Sequence, residues 1–392
     1  MILENKNTKL LIIVQSLNFL ILNMGNVFIS IFLINTSNNI MGALLYNLFI
    51  AIMILVGFFV IGPFGEKHKK AGIILSNILN CILYILILLL GGKASKFVWI
   101  LGSISGLSQG FYWMTNNILT IDLINNDIRK KYNSTVGVIN SILCMIGPII
   151  SAFIISMFSG INGYLVLFTV ILIIMVVALV LTCFIKDPPS GREKFSLKKA
   201  YEKLNLKEFN IIMKITWKSL FRDGVVAFLV NILLYDITKS EIMIGSFSAL
   251  TTCITVITYW IAGKSKSRVE KIYIVSVYFQ ILSVLILTIY FKNIYFIIAY
   301  LVVYGIASPL NGLSYGVMVQ NTIAKVDPEG EYRCELNCIK ELWIGVGRIS
   351  AILIIIILYY FVNDFSLLWI FGVLSSIISL ISIKDAKRLM GC

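Results

Sequence analysis

Charge is scarce in this chain. Only 13% of its 392 residues are Asp, Glu, Lys or Arg, while 59% are hydrophobic; soluble globular proteins carry about 25% charged and about 45–50% apolar residues. Two or three water-soluble domains would fit the length, but so little charge cannot cover their surface, and lipid must be the solvent for most of the chain. Histidine is scarcer still. The one present, His68, lies in a basic stretch, which leaves no basis for a zinc site or a Ser-His-Asp triad. The seven cysteines (Cys81, Cys144, Cys183, Cys253, Cys334, Cys338, Cys392) show no paired spacing and read as small apolar residues rather than a disulfide framework. A nucleotide cradle is also missing. Gly263-Lys264-Ser265 ends like a phosphate-binding loop, but Thr258 stands where the earlier glycine is required. No cofactor and no enzyme activity are expected.

Long apolar runs are what the chain does have. A hydrocarbon core of roughly 30 Å takes about 20 apolar residues per helix, and this predicts twelve spans: 10–34, 41–62, 71–91, 97–121, 134–158, 163–185, 216–238, 241–262, 271–291, 294–322, 336–361 and 365–383. The first is too long for a cleaved signal and runs straight into further spans. With both termini cytoplasmic, Lys93, Lys96, Lys239 and Lys292 fall outside, Arg348 falls within a span, and the rest of the 33 basic residues lie on the cytoplasmic side. That is the distribution the positive-inside rule demands. Topology thus accounts for the net charge of +14, and nucleic acid is not an expected partner.

The expected fold is an all-α membrane protein, multi-pass in the cell membrane, with residues 1–185 and 216–392 as two six-helix halves. Between them, 186–215 forms a polar cytoplasmic segment. It opens with Asp187-Pro188-Pro189-Ser190-Gly191, which stops a helix. Leu197, Tyr201 and Leu204 then recur at helical spacing among lysines, as in a short basic amphipathic helix on the inner leaflet or a solvated linker helix. The halves echo each other. Gly106-Leu107-Ser108-Gln109-Gly110 in the fourth span matches Gly312-Leu313-Ser314-Tyr315-Gly316 in the tenth, and the loops after the second and eighth spans are both basic and led by Gly62 and Gly263.

In these features the chain resembles the major facilitator superfamily of secondary transporters: six plus six spans, a long central cytoplasmic loop, internal termini and a Gly-led basic loop after the second span. Glu66-Lys67 stands where that family carries Asp-Arg, and the second-half loop lacks the aspartate. Gly147-Pro148 is similar to the core of the motif found in the family's exporters. The resemblance implies two pseudo-symmetric six-helix bundles, with spans one, four, seven and ten lining a central cavity.

Polar residues in lipid are costly and tend to face a cavity or a neighbouring helix. The fourth span places Gln109, Tyr112, Asn116 and Thr120 on one helical face, with Trp113 beside them; the tenth does the same with Tyr304, Ser308, Asn311 and Tyr315. Asn18 in the first span and Asn231 in the seventh complete the candidate substrate cavity. The same side chains also suit hydrogen bonding between helices, worth under about 2 kcal/mol each. Arg348 lies about 11 residues into its span, roughly 16 Å deep at 1.5 Å per residue, and requires compensation. Glu341 shares its helical face, and if spans seven and eleven touch as the resemblance implies, Arg222 and Asp223 join them. That cluster reads either as a structural ion network or as a proton-coupling site. Asp122 and Arg129 are candidates for a gate clasp. The favoured reading is a monomeric secondary transporter that exports a small neutral or amphipathic solute as a proton antiporter. Uptake of a neutral metabolite and a flux-less membrane sensor are the alternatives.

Overall fold

A backbone in lipid has no water to satisfy its amides, so each apolar run must close its own hydrogen bonds as a helix. The computed structural model obeys that rule. It describes residues 6–37, 40–65, 68–159, 161–186, 195–219, 241–289, 293–361 and 380–389. Its helices are α1 (Lys6–Ser37), α2 (Ile40–Gly65), α3 (Ala71–Leu90), α4 (Val98–Leu123), α5 (Asn126–Ser156), α6 (Asn162–Cys183), α7 (Leu197–Lys203), α9 (Glu241–Lys264), α10 (Val269–Ile289), α11 (Ile294–Val326) and α12 (Arg333–Phe361). Residues 207–219 form α8 and residues 380–389 form α13. Among the described residues, seven stretches are long and apolar enough to cross a membrane. The protein is an all-α, multi-pass membrane protein; most of the expected spans 216–238 and 365–383 lies outside the described residues.

Two helices, α5 and α8, begin two turns or more before hydropathy predicts. α5 starts at Asn126, well before 134, because its polar first turns find partners: Arg129 bonds Asn321, Asn133 bonds Gln320 and Lys130 bonds loop carbonyls. α8 is helical from 207, inside the expected central loop, because Phe209, Ile212 and Met213 are buried. A short helix, α7, forms in the expected central segment, with Tyr201 exposed and Leu204 beyond its end. Ser196 caps it by accepting from the Lys199 N–H, and the chain turns extended at Leu204.

The contacts divide the chain into two compact units. One comprises Met1–Asn125, Leu143–Leu204 and Asp327–Gly345; the other comprises Asn126–Ile142, Asn205–Val326 and Val346–Cys392. In the first unit, α2 and α4 pack closest, and small residues explain why. Lipid tails are as apolar as leucine, so helices in a bilayer associate through close backbone approach rather than hydrophobic exclusion. Gly102, Gly106 and Gly110 form a stripe at four-residue spacing along α4. A Cβ at Gly106 would lie 2.6 Å from the Ile50 carbonyl oxygen, and one at Gly110 2.5 Å from that of Ile54. Around this pair, Phe32, Tyr84, Tyr164 and Phe168 interlock α1, α3 and α6 with ring centroids 5.5–6.5 Å apart.

The second unit packs α9, α10 and α11 and is tied by buried hydroxyls and a buried ion pair. The Tyr273 hydroxyl lies 3.0 Å from both Ser219 Oγ and Ser382 Oγ, joining α10 to α8 and α13. Lys218 Nζ sits 2.6 Å from Asp385 Oδ2, also between α8 and α13. Gly312 and Gly316 do not repeat the role of Gly106 and Gly110. Among the described residues, a Cβ at Gly316 would meet nothing within 4 Å, and one at Gly312 would meet only the Tyr259 hydroxyl. The sequence echo between the halves therefore marks similar residues with different packing.

Candidate functional site

In the first unit, α1, α3 and α4 enclose a recess of about 30 Å³ lined by Asn18, Phe19, Leu22, Ser76, Asn80, Ser108, Gln109, Tyr112 and Trp113. Four of the expected cavity residues thus share one space. Groups one turn back on their own helices hold two of them: Asn18 Nδ2 donates to the Val14 carbonyl at 2.9 Å, and Gln109 Nε2 donates to Ser105 Oγ at 3.3 Å. Tyr112 and Trp113 meet edge to face at 5.1 Å, the arrangement that ring quadrupoles favour. Among the described residues, the lining contains no ionisable acid or base other than the tyrosine phenol. One and two turns further along α4, the polar stripe changes partner. Asn116 and Thr120 accept from Gln15 Nε2 of α1 at 2.6 and 3.3 Å.

In the second unit the described candidates each make a separate contact. Tyr304 stacks on Tyr300 at 5.5 Å. Asn311 is buried and donates to Ser276 Oγ of α10 at 3.4 Å. Tyr315 shares a hydrogen bond with Thr216 at 2.8 Å. Asn231 lies outside the described residues.

The charges sort into three groups. Asp122 sits in the last turn of α4, where the helix macrodipole is negative and an acid needs cations. It has two: Lys69 Nζ at 2.6 Å and Arg333 Nε at 3.4 Å. Arg333 also reaches Asp327 Oδ2 at 3.7 Å. The Asp327 carboxylate organises the turn before α12, accepting the N–H groups of Glu331 and Tyr332 at 3.0 Å each. Gly330 supplies the positive φ of 77° that this turn requires. Burial holds Asp327 above the ordinary carboxylate range, against the opposing pull of Arg333 and the turn's N–H groups. In the second unit, buried Arg129 donates to Asn126 Oδ1 and, at 2.7 Å, to Asn321 Oδ1.

The third group lies on α12. Glu341 is buried, and its neighbour Lys340 is buried with Nζ donating to Asn337 Oδ1 at 3.1 Å. Glu335 Oε1 accepts the Ser196 N–H at 2.8 Å. Arg348 is half-buried further along the helix. Arg222 and Asp223 lie outside the described residues. Sequence reasoning counted Lys69, Arg333 and Lys340 only among the basic residues of the cytoplasmic side and did not single out Asp327. The available signal was Asp327-Pro328-Glu329-Gly330, a turn signature whose leading aspartate accepts backbone N–H groups further along the turn.

Residues 11–332 match the sequence pattern of the Major Facilitator Superfamily. The chain is 26% identical over 354 residues to YqgE of Bacillus subtilis (strain 168), spanning 89% of this chain and 82% of that one. Its structure superimposes on the human organic anion transporter MFSD10 (TETRAN) with a TM-score of 0.76 at 12% identity, covering 98% of this chain and all of that one. A bacterial homologue of the iron transporter ferroportin in its outward-facing state gives a TM-score of 0.76 at 13% identity, covering 99% of this chain and 100% of that one. At such identities the likeness is one of fold alone. The sequence match over most of the chain carries the assignment, and the protein belongs to the Major Facilitator Superfamily, a family of secondary transporters and not of enzymes.

Proposed function

We propose that this transporter exports a small neutral or amphipathic solute in exchange for protons. In this reading twelve spans form two six-helix bundles, residues 1–185 and 216–392, joined by 186–215, with both termini cytoplasmic, rocking about a midplane site. The supporting observation is the recess between α1, α3 and α4. Asn18, Gln109, Tyr112 and Trp113 offer amides and aromatic edges there and no fixed charge. Such a wall selects by hydrogen bonding and stacking. A strongly cationic or anionic solute would find no counter-ion in it. The recess is too small to hold a solute alone, so it is one wall of the site. Asn116, Asn231, Tyr304, Asn311 and Tyr315 are assigned to other parts of the pathway.

Glu341 is the proposed coupling carboxylate, with Arg222, Asp223 and Arg348 as the charges it samples during the cycle; Asp122 and Arg129 anchor the gate. A coupling carboxylate must load and release its proton as its surroundings change, and a buried acid near basic groups meets that need when those contacts loosen.

Purified protein in proteoliposomes tests this reading with a panel of fluorescent neutral and zwitterionic dyes. A pH gradient should drive dye movement, and Glu341→Gln should abolish gradient-driven flux while sparing exchange of dye against dye. Uptake in the opposite direction would reverse the assignment of export. Dye binding without counterflow would identify a sensor. Equal loss of both modes in Glu341→Gln would remove Glu341 as the coupling site.

A further inference from the structure

The second unit carries a larger opening that the transport reading does not use. Helices α9, α10 and α11 border a groove of about 630 Å³, open to its surroundings and walled by Ile254, Ile257, Ile261, Val275, Val302 and Ile306. Thr258 also lines it, but its hydroxyl donates to the Ile254 carbonyl at 2.8 Å, so the wall presents hydrocarbon. From Ile254 to Ser265 the groove tracks eleven residues of chain, roughly 16 Å at 1.5 Å per helical residue. That is about half of a hydrocarbon core roughly 30 Å thick, the depth of one leaflet.

One end of the groove is basic. Ser265, Ser267 and Lys271 form its mouth, and Lys264, Lys266 and Arg268 are exposed in the same turn. Lys264 Nζ lies 3.5 Å over the ring of Trp260, an exposed tryptophan, and such rings settle at headgroup level. Lys130 of α5 holds the turn in place, donating to the carbonyls of Ser265 at 2.6 Å and Ser267 at 3.1 Å. The acid in this stretch, Glu270, lines a different recess with Glu208 and Lys325. Lys264, Lys266, Arg268 and Lys271 outnumber that one acid, so the stretch at the mouth is net positive.

We propose that this groove is a binding site for an anionic phospholipid. One acyl chain lies along Ile254–Ile261, Val302 and Ile306, and the phosphate sits against Lys271 and the Lys264–Arg268 turn. An apolar slot one leaflet deep, capped by cations at the headgroup level, fits that class of molecule at both ends. A zwitterionic lipid of the same chain length satisfies only the apolar end.

Native mass spectrometry of the full chain with phosphatidylglycerol and phosphatidylcholine of matched chains tests the proposal. Phosphatidylglycerol should be retained in clear preference, and each of Lys271→Gln and Arg268→Gln should weaken its retention about fivefold, the worth of one cation near an anionic lipid surface. Both side chains are exposed, so these variants should fold as the parent does. Ile306→Trp, which fills the slot, should remove the bound lipid while the charges remain; its melting temperature separates a filled groove from a misfolded protein. Should Ile306→Trp fail to fold, the two charge variants decide alone. Equal retention of the two lipids, retention unchanged in both charge variants, or displacement of phosphatidylglycerol by glycerol phosphate lacking acyl chains would each overturn the proposal.

Discussion

Gln15 and Asn116 meet side chain to side chain, the amide of one donating to the carbonyl oxygen of the other at 2.6 Å across 101 residues of sequence. The contact joins α1 to α4 directly below the recess that holds Gln109 and Tyr112. Inside a bilayer such a bond contributes about 0.6 kcal/mol on average and under about 2 kcal/mol at most. Gln15→Leu and Asn116→Leu should each lower the melting temperature in detergent. The double variant should lose less than the sum of the two, by a coupling of about 1 kcal/mol. Strict additivity would show that the pair contributes no stability.

The glycines of α4 and α11 give a sharper contrast. Gly106→Ala drives a methyl group against the Ile50 carbonyl, which is backbone and cannot turn aside. It should cost about 1–3 kcal/mol, the usual penalty of overpacking. Gly316→Ala meets no described residue within 4 Å and should be neutral or stabilising by up to about 1 kcal/mol, the difference in helix propensity. Thermal unfolding of the two variants side by side checks both halves of the statement.

Ion pairs of equal length should differ in worth. Lys69–Asp122 and Lys325–Glu208 are both 2.6 Å long, but the first pair is buried and the second lies at the surface, with Lys325 69% exposed. Asp122→Asn leaves Lys69 and Arg333 buried near a neutral amide and should cost about 3–5 kcal/mol. Glu208→Gln should cost under about 1 kcal/mol and lose even that in high salt. Denaturation of each variant at low and high salt is the measurement.

Asp327 predicts a pH effect of defined sign. Its folded pKa is raised, so the fold prefers the neutral acid. The resulting stability is fully present below the ordinary carboxylate pKa of about 3.9 and is lost as pH rises through the folded value. Asp327→Asn keeps the neutral shape at every pH. Above pH 4 the stability of the parent relative to this variant should therefore fall with rising pH and then level off. A parent that gains on the variant as pH rises would show that Arg333 and the turn's N–H groups outweigh burial.

Much of the fold was legible in the sequence because lipid makes a simple demand: a run of apolar residues must be a helix. The starts of α5 and α8 were not legible. The first turns of α5 are held by Asn321 and Gln320 and those of α8 by the burial of Phe209, Ile212 and Met213, and hydropathy registers neither. The recess was partly legible, since Gln109 and Tyr112 are separated by one helical step. Asn18 joins them through tertiary packing, and no spacing in the sequence expresses that. The partners of Asp122 were hidden for a similar reason. Lys69 and Arg333 look like ordinary flanking charges until the turn at Asp327 brings the start of α12 to the end of α4.

The close seam between α2 and α4 also constrains motion. Where two helices meet through side chains, those side chains can change rotamer and let one helix slide or roll over the other. At Gly102, Gly106 and Gly110 the carbonyls of α2 rest against the bare backbone of α4, and there is nothing between them to rearrange. A shear displacement at this seam would have to separate the two backbones before it could begin. The two helices should therefore travel as one rigid strut, and any change of shape has to be absorbed at joints that still have side chains to turn.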